Sequence, residues 1–571
     1  MGQTLIVPVI EVSGAGSTGP KTLNVSNITF NVSAASLPTS QPAMISMAGV
    51  NGGVAGNDYG SVAVGVNNVM INMQNLTVSS AGIYARTDTA GATAAIESSA
   101  NVTLNGTAGN LEGIRLESPN GYSRLHLGYV TNSNRSGIAV TSTSGSGAGV
   151  RVTGGEGVTI TTDADTYIDV TGGNTTTTGN AYGIHVSSTS VSAIINNAGL
   201  VQTRGYRGHA IFLEGPEAEV TNTGNITTTG EASHGIYLYQ QTGTTQQAQV
   251  NNSGRIYSSG DTTDGLRVEQ RGSATNTATI TNSGTIISNG SFASYAIDAW
   301  QESTTANGVM TVTNQGDLTT GGIMLNYGLG AYQRLNSGTL TVTNDGTVTT
   351  TGSRSFGIYA RQYVTTDGSV TATNNGSINT RQSDSHGLYA SQTGGVNSTI
   401  SATSTSTGEI ETQGNTAHGL YVEAYGSGLA QADNAGQITT GGNQARGIYV
   451  MADHSSSVGG TVEVRNTGAI RTSGGNASGI YVNALGDDTI QVIQGTTGSI
   501  VTADGAGIQV AADAGNLEIT TSGSITTGQA TASTLNHGID AGSNSGKTEV
   551  EFSNGTIKVV GTNTGGGNAI G

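Results

Sequence analysis

A six-residue phrase, Thr-Asn-x-Gly-x-Ile, recurs along the chain, as at 221–226, 281–286 and 373–378. Its glycine occupies thirteen positions that span 356 residues, so the mean spacing is about 30 residues. These positions are Gly199, Gly224, Gly254, Gly284, Gly316, Gly346, Gly376, Gly408, Gly436, Gly468, Gly498, Gly523 and Gly555. A fixed period of this length is typical of solenoid proteins, in which each repeat packs only on its neighbours. The sequence therefore predicts a repeat array.

Apolar residues alternate around this glycine. The residue two positions after it is aliphatic in every copy from Gly224 onward, beginning with Ile226 and Ile256. The residue four positions before it is usually apolar, as at Val220 and Val250. Even offsets share one face of a β-strand, whereas a helix repeats every 3.6 residues. The pattern indicates strands with one buried face.

A second phrase, Gly-Ile-Tyr-Val or a close variant, lies between copies of the first, as at 235–238, 357–360 and 447–450. Each unit thus contains three short apolar segments separated by Gly-rich or Asn-rich bends. We predict an all-β fold, a right-handed parallel β-helix with three short strands in each coil of about 30 residues. Residues 81–571 should form this array, and residues 1–80 should form a less regular β-helical or capping segment.

The composition narrows the functional classes. The 571 residues include 89 Gly, 6 Pro, 5 Phe and no Cys, and the formal charge is -17. This excludes disulfides and cysteine-based zinc sites, and it argues against nucleic acid as a partner because no cations cluster. The first ten residues resemble no signal peptide, and no segment has the roughly 20 apolar residues of a membrane span. We therefore expect the sequence to be a fragment of a longer protein.

Asparagine is the commonest residue two positions before the repeat glycine. This even offset places it on the inward face of the strand. An amide stacked on the amide of the next coil would satisfy its polar groups at a buried corner, and asparagine also tolerates the left-handed conformation of a tight bend. We predict a structural asparagine ladder rather than a ligand site. Its members are Asn197, Asn222, Asn252, Asn282, Asn314, Asn344, Asn374, Asn434 and Asn466.

The spacing divides each coil into a constant arc and a variable arc. From the repeat glycine to the next Gly-Ile phrase the distance is 11 residues in eight of twelve intervals. The complementary arc varies from 16 to 24 residues and includes polar stretches such as 240–247 and 362–368. Because loops tolerate variation and carry function, partner contacts are expected at the variable arc and on the strand that leads into it.

That strand carries a tyrosine at the same outward position in five successive coils. The residues are Tyr359, Tyr389, Tyr421, Tyr449 and Tyr481. Such a stripe, about 20 Å long at the inter-strand spacing, could stack on sugars or bury against a protein. The alternative is stacking between coils that only stabilises the sheet. Both interpretations remain open from the sequence.

Catalytic and metal-binding patterns are weak. His386 and His418 precede the Gly-Ile phrase in adjacent coils, but no carboxylate recurs beside them, so we expect no metal site and no cofactor. The nearest carboxylate pairs, Asp163 with Asp165 and Asp487 with Asp488, fit solvated turns better than a catalytic site, and the first pair has no matching partner on neighbouring coils. We expect no enzyme.

The Gly-Ile-Tyr and Asn-x-Gly-x-Ile phrases, as at 466–470, resemble the β-helical passenger domains of autotransporters (type V secretion) over residues 80–571. The resemblance implies a bacterial cell-surface or secreted protein, attached to the membrane only through a C-terminal translocator barrel that this sequence lacks. Passengers of this kind are often adhesins or self-associating proteins.

We therefore expect an adhesin or self-association passenger whose partner is a host surface protein, a host glycan or another copy of itself. Two alternatives remain: a β-helical polysaccharide-degrading enzyme, perhaps phage-borne, and a passive spacer that displays another domain.

Overall fold

The structure, a computed structural model, describes residues 10–13, 21–33, 43–49, 61–77, 79–107, 110–128, 136–172, 179–188, 192–241, 245–272, 275–395, 397–426, 428–454, 459–528 and 536–560. These residues form strands, turns and bends, and none of them lies in a helix. The chain divides into two compact units, Met1–Gly272 with Gly284–Gly290 (unit 1) and Ser273–Ser283 with Ser291–Gly571 (unit 2). Of the predicted segment 1–80, residues 1–9, 14–20, 34–42, 50–60 and 78 lie outside the described residues, as do residues 242–244 of the polar stretch 240–247.

Unit 1 contains the strands β1 (Ile10–Ser13), β2 (Lys21–Ser26), β3 (Thr29–Ser33), β4 (Ala43–Gly49), β5 (Val62–Asn67), β6 (Met70–Leu76), β7 (Ser80–Thr87), β8 (Thr93–Ser98), β9 (Asn101–Gly106), β10 (Asn110–Ser118), β11 (Tyr122–Leu127), β12 (Gly137–Ser142), β13 (Ser146–Gly154), β14 (Gly157–Thr162), β15 (Tyr167–Thr171), β16 (Ala181–Ser188), β17 (Ser192–Asn197), β18 (Leu200–Arg204), β19 (Ile211–Glu214), β20 (Glu217–Asn222), β21 (Asn225–Thr229), β22 (Ile236–Gln240), β23 (Thr245–Asn252), β24 (Arg255–Ser259), β25 (Leu266–Gln270) and β27 (Thr285–Ser288).

Unit 2 contains β26 (Thr275–Asn282), β28 (Ile297–Asn314), β29 (Asp317–Thr320), β30 (Leu329–Asn344), β31 (Thr347–Thr350), β32 (Ile358–Val364), β33 (Gly368–Asn374), β34 (Ser377–Thr380), β35 (Leu388–Thr393), β36 (Ser398–Ser404), β37 (Glu409–Thr412), β38 (Leu420–Tyr425), β39 (Gly428–Asn434), β40 (Gln437–Thr440), β41 (Ile448–Asp453), β42 (Thr461–Asn466), β43 (Ala469–Thr472), β44 (Ile480–Asp487), β45 (Thr489–Gln494), β46 (Ser499–Thr502), β47 (Ile508–Ala514), β48 (Leu517–Thr521), β49 (Ser524–Thr527), β50 (Ile539–Ser543), β51 (Thr548–Phe552) and β52 (Thr556–Val559).

Within each unit every strand pairs in parallel with the equivalent strand of the next coil. In unit 2 the coil of β35, β36 and β37 shows the arrangement, because Tyr389 aligns with Tyr421, Ala402 with Ala432, and Ile410 with Ile438. We refer to these as the first, second and third strands of a coil. The predicted all-β parallel β-helix with coils of about 30 residues is confirmed.

The core consists of aliphatic side chains stacked coil on coil. In the same coil Leu388, Ile400 and Ile410 are at most 2% exposed, and each faces inward from a different strand. Burial of one such side chain stabilises the fold by about 2 kcal/mol. The alternation of apolar residues in the sequence therefore marks the inner wall of the coil.

The two recurring glycines are needed because stacked coils approach closely. A β-carbon at Gly387, in the Gly-Ile phrase, would lie 2.3 Å from Cγ2 of Ile410 and 2.7 Å from the carbonyl oxygen of Gly419. A β-carbon at Gly376, in the asparagine phrase, would lie 2.0 Å from the carbonyl oxygen of Gly346. Both contacts are shorter than a side chain can tolerate, so the repeat selects glycine.

Buried polar ladders occupy the three corners of the coil. Between the second and third strands, the amide of Asn314 donates to the side-chain oxygen of Asn344 over 2.8 Å. Between the first and second strands, Gln362 donates to the side-chain oxygen of Gln333 over 2.8 Å. At the third corner, Thr380 donates from its hydroxyl to the carbonyl of Ser385 over 2.6 Å. Each ladder satisfies polar groups that water cannot reach.

All nine predicted ladder asparagines are at most 2% exposed. Amide-to-amide hydrogen bonds of 2.7–2.8 Å join Asn197, Asn222 and Asn252 in unit 1, and Asn282, Asn314, Asn344 and Asn374, and separately Asn434 and Asn466, in unit 2. The left-handed conformation expected for them is wrong, because none has a positive φ. That conformation lies at the corner before the first strand, for example at Leu325, whose φ is 60°.

Candidate binding surface

Five tyrosines on the first strands of unit 2 form a continuous column. Neighbouring members are aligned by strand pairing. Their ring centroids are 4.7–5.3 Å apart. The tyrosine column consists of Tyr359, Tyr389, Tyr421, Tyr449 and Tyr481. Ring pairs at this separation contribute about 1 kcal/mol each beyond their buried area, so the column stabilises the sheet from outside.

A second column of rings runs beside the first, one residue before the glycine of the Gly-Ile phrase. Its neighbouring centroids are 4.8–5.0 Å apart. This ring column consists of Tyr295, Tyr327, Phe356, His386 and His418. The two columns touch, since the Tyr327 and Tyr359 centroids lie 4.9 Å apart and those of His418 and Tyr449 lie 4.8 Å apart. Together they form an aromatic face on unit 2.

The Glu423 carboxylate accepts hydrogen bonds from tyrosine hydroxyl groups near the middle of the tyrosine column. The donors are Tyr389, Tyr421 over 3.2 Å and Tyr425 over 2.8 Å. Burial, followed by the charge of Glu423, raises the pKa of Tyr389 and Tyr421 above the ordinary tyrosine range. Tyr389 is 7% exposed, whereas the other four members of the column are partly exposed. The column is therefore held in a fixed arrangement by its own contacts.

His386 and His418 form part of the ring column and are buried. Nδ1 of His386 accepts a hydrogen bond of 3.0 Å from the backbone N–H of His418, and Nδ1 of His418 accepts one of 3.1 Å from Arg446. Burial lowers the pKa of His386 to about 3, and it lowers the pKa of His418 well below the ordinary value. These rings are thus neutral stacking elements. In the described ranges, no three His, Asp or Glu side chains lie close enough to hold a metal ion.

The tyrosine column ends at Tyr359. In the coil before Tyr359, strand pairing aligns Gly330 with that tyrosine, and in the coil before that it aligns Asp298. A β-carbon at Gly330 would have no neighbour closer than 3.7 Å. The missing side chain leaves an open cleft of about 510 Å³, which we call the Gly330 cleft.

Aromatic rings flank this cleft on both sides. Tyr327 and Tyr359 belong to the two columns, and Trp300 lies opposite with its ring centroid 4.2 Å from that of Tyr332. Arg361 donates from Nη1 to the Tyr359 hydroxyl over 3.1 Å. Its guanidinium carbon lies 4.5 Å from the centroid of Tyr363, a cation–π contact. The cleft therefore combines ring faces with charged groups.

The sequence prediction found Tyr359 but missed the other cleft residues. Trp300 is the one tryptophan of the chain, and it lies two positions after the column site, which is a usable signal. Tyr327 directly precedes Gly328 in a Gly-Leu variant of the Gly-Ile phrase. Histidines occupy the same position in other coils. A search for aromatic residues at every outward offset would have included both.

Unit 1 contains a separate charged groove of about 560 Å³. The position equivalent to the ring column here carries Ala81, Glu112 and Ala148 in successive coils. Glu112 is 4% exposed, and its carboxylate oxygens lie 3.5 Å from Arg115 and 3.5 Å from Arg151. Burial raises the pKa of Glu112 despite these two cations. Ala81 and Ala148 are smaller than the aromatic rings at the equivalent position in unit 2. A groove therefore opens around the buried carboxyl group of Glu112.

A second carboxylate in this groove is fully engaged. Glu117 accepts hydrogen bonds from Nε and Nη2 of Arg115 at 2.7 and 2.5 Å, from Tyr84 at 2.9 Å and from Arg86 at 3.0 Å. Burial alone would raise the pKa of Glu117, but these donors, Arg115 first, hold it below its ordinary value. A carboxylate has about four acceptor positions, and all four are occupied. Sequence reasoning missed both glutamates, which belong to no recurring phrase.

One interpretation of the aspartates is wrong. The Asp163 side chain is 43% exposed at a turn, as expected, and its carboxylate lies 3.1 Å from Nε2 of His126. Asp488 is not solvated: it is 0% exposed, lies 2.6 Å from Nδ1 of His454 and accepts a 2.7 Å hydrogen bond from the backbone of Gly460. This pair occupies the corner between first and second strands, where other coils place buried glutamines.

The described part of the chain has no helix long and apolar enough to cross a membrane. No family model matches the chain, and no curated protein or solved structure is detectably similar to it.

Proposed function

We propose that this protein acts by binding, as a bacterial surface adhesin or self-association protein, and that the aromatic face of unit 2 makes the contact. The observation that carries the proposal is the pair of contacting ring columns, with the Gly330 cleft beside the end of the tyrosine column. Aromatic side chains supply large contact areas and are enriched where proteins meet partners.

Preorganisation supports the same proposal. The tyrosine rings are fixed by their neighbours and by Glu423, so a partner need not immobilise them on binding. Immobilising a flexible side chain costs roughly 1 kcal/mol, and a rigid face avoids that cost. Four of the five tyrosines keep part of their surface accessible.

The cellular setting of the proposal comes from the resemblance to autotransporter passengers. It places the protein on the bacterial cell surface or outside the cell, with a host protein, a host glycan or a second copy of the chain as partner. The β-helical coils would then serve as the support that presents the aromatic face.

A polysaccharide-degrading enzyme is the second candidate, because the unit 1 groove holds two carboxyl groups whose pKa values shift in opposite directions. Glycosidases use such a pair, one as acid and one as base or nucleophile. Hydrogen bonds to all acceptor positions of Glu117 argue against a base or nucleophile there. Release of reducing ends from surface polysaccharides, abolished by Glu112→Gln, would reverse our ranking.

The binding proposal is tested with the whole purified chain. We expect it to bind host cells, matrix or itself, with saturation on immobilised cells or a shift in sedimentation. The double variant Tyr449→Ser/Tyr481→Ser should weaken binding at least tenfold. Tyr257→Ser is the matched control, since Tyr257 lies outward on a third strand of unit 1. A chain that binds neither cells, matrix nor itself would refute the proposal, and so would equal binding by both variants. Coils that can be deleted without loss of binding would support the spacer alternative.

A further inference from the structure

We propose that the Gly330 cleft binds one neutral pyranose ring of a glycan chain. The inference rests on the proposed function, because it assumes that unit 2 acts by binding, and it names the site and the ligand class. Its basis is the combination of an open cleft beside the end of the tyrosine column, aromatic rings in the lining of the cleft and charged groups at its margins.

The gap at Gly330 is not required by the fold. At Gly328, Gly357 and Gly387 a β-carbon would lie 2.2–2.3 Å from an aliphatic side chain of the third strand, so those glycines are imposed by packing. At Gly330 the nearest atoms, of Ile297 and Tyr327, are 3.7 Å away, which is ordinary contact. Its φ is not positive either, so any residue could adopt this backbone. The absent side chain therefore changes the surface without serving the core.

The flanks suit a sugar ring. The C–H groups on a pyranose face carry partial positive charge and pack against the negative face of an aromatic ring. The column position of Gly330 is bordered by Tyr327, whose Cδ2 lies 3.7 Å from the β-carbon position, and by Tyr359 one coil later. Trp300 and Tyr332 stand on the opposite flank. A flat ring in the cleft would pack beside Tyr359 at the end of the tyrosine column.

The margins provide donors and acceptors for hydroxyl groups. The Asp298 carboxylate, on a residue 4% exposed, lies 3.9 Å from the β-carbon position of Gly330 and accepts hydrogen bonds. Arg361 supplies a planar donor fork. Among the described residues, Nε of Arg361 and Nε1 of Trp300 are buried without a hydrogen-bond partner. Buried donors usually have one, so these two fit a site completed by a ligand after small side-chain shifts.

Charge and size select a neutral sugar over other occupants. The negative charge of Asp298 offsets the positive charge of Arg361, and Arg334 forms an ion pair with Glu302 at 3.3 Å. The charges at the margins of the cleft are therefore balanced. A cleft of about 510 Å³ falls in the range of small-ligand sites, roughly 300–1,000 Å³. A protein partner would instead need a flat area above about 1,000 Å².

The tryptophan offers a direct readout, since the chain contains only Trp300. The whole protein is titrated with neutral trisaccharides of glucose, galactose and mannose while tryptophan fluorescence is recorded. We expect a saturable change with at least one of them, with a dissociation constant below about 1 mM. No saturable change with any neutral sugar, or a response only to uronic-acid oligosaccharides, would overturn the proposal.

Gly330→Tyr is the decisive variant, because it adds a ring at the position aligned with Tyr359 and fills the cleft, and its β-carbon would meet nothing closer than 3.7 Å. It should remove the sugar response and leave the unfolding temperature within about 2 °C of the parent chain. The matched control is Gly542→Tyr, since Gly542 lies exposed on a first strand and a β-carbon there meets nothing within 4 Å. A response that survives Gly330→Tyr would place the sugar elsewhere and overturn the proposal.

Failure of this inference is distinguishable from failure of the proposed function. If the parent chain binds cells, matrix or itself and Gly330→Tyr does so equally, binding stands and the cleft is not its site. If the parent chain binds none of them, the binding function itself falls, whatever the fluorescence shows.

Discussion

Asn344 donates from its side-chain amide to the side-chain oxygen of Asn374, one coil later, over 2.8 Å, and also to the carbonyl of Gly346 over 3.1 Å. Both asparagines are 0% exposed. One amide therefore connects two coils and closes its own corner in a place that water does not reach. Loss of this side chain leaves the acceptor oxygen of Asn374 without that donor.

Asn344→Ala should destabilise its coil by about 2 kcal/mol, because a buried polar group that loses its partner keeps its desolvation cost. Amide hydrogen exchange in residues 340–380 measures the local opening free energy directly. The neighbouring Asn375→Ala is the control, since Asn375 hydrogen-bonds Asp345 at an exposed site; its effect should stay within about 0.5 kcal/mol. Equal losses of stability in the two variants would contradict the inference that the asparagine ladder stabilises the coil.

Gly387→Ala should lower stability by at least about 2 kcal/mol, as overpacking does in a tight core. Its new methyl group would meet Ile410 at 2.3 Å and the Gly419 carbonyl oxygen at 2.7 Å. Gly330→Ala adds the same methyl group on a first strand with no neighbour nearer than 3.7 Å, and it should be neutral. Urea unfolding of the two variants compares them, and a neutral Gly387→Ala would show that stacked coils can separate freely.

Leu325→Asn should raise stability by roughly 0.5 kcal/mol. Leu325 has a φ of 60°, and a left-handed backbone costs most residues about 1–2 kcal/mol, whereas asparagine tolerates it better. The reverse change at the equivalent corner, Asn476→Leu at a φ of 53°, should lower stability by a similar amount. Thermal unfolding shifts of the same sign for both variants would argue against backbone strain as the cause.

Stability should fall as the pH drops below about 6.5, in part because of His386. The pKa of this residue is about 3 in the folded chain and about 6.5 when unfolded. Between these values the unfolded chain binds a proton that the folded chain excludes, so stability is retained above pH 6.5 and lost toward pH 3. The slope is about 1 kcal/mol per pH unit for one such histidine.

His386→Phe should flatten this pH dependence, since phenylalanine cannot take up a proton and Phe356 already occupies the equivalent site one coil earlier. Urea midpoints between pH 4 and pH 8 give the slope for each chain. The variant also loses the hydrogen bond from His418, so its stability at pH 8 is expected to be lower while its slope is smaller. Parallel slopes would show that His386 is not excluded from protonation.

The parts of the fold that follow from periodicity could be predicted from sequence. Ile378 and Val342 are inward because they sit at even offsets from a repeat glycine, and each is 0% exposed. The stacked asparagines belong to the same repeat. Gln333 and Gln362 were not recognised, because glutamine is ordinarily a surface residue and becomes a buried ladder member only once the coils are aligned.

The cleft could not be predicted for a related reason. Tyr359, Gly330 and Asp298 lie 29 and 32 residues apart, so their shared position depends on strand register and not on a constant spacing. A run of tyrosines can be recognised in the sequence from the residues themselves. A glycine aligned with such a run can be recognised only once the strand register is known. The contact between His454 and Asp488 could not be predicted for the same reason, since 34 residues separate these two groups that meet at one corner.

Gly330 also bears on how such a chain can diversify. The inward residues of each coil are constrained by the coils on both sides, while an outward residue touches little beyond its own column. A single codon change at an outward site can therefore open or fill a recess and leave the interior untouched. Different coils can acquire or lose ligand preferences independently, so selection for new partners and selection for folding act on separate sets of positions in the same strand.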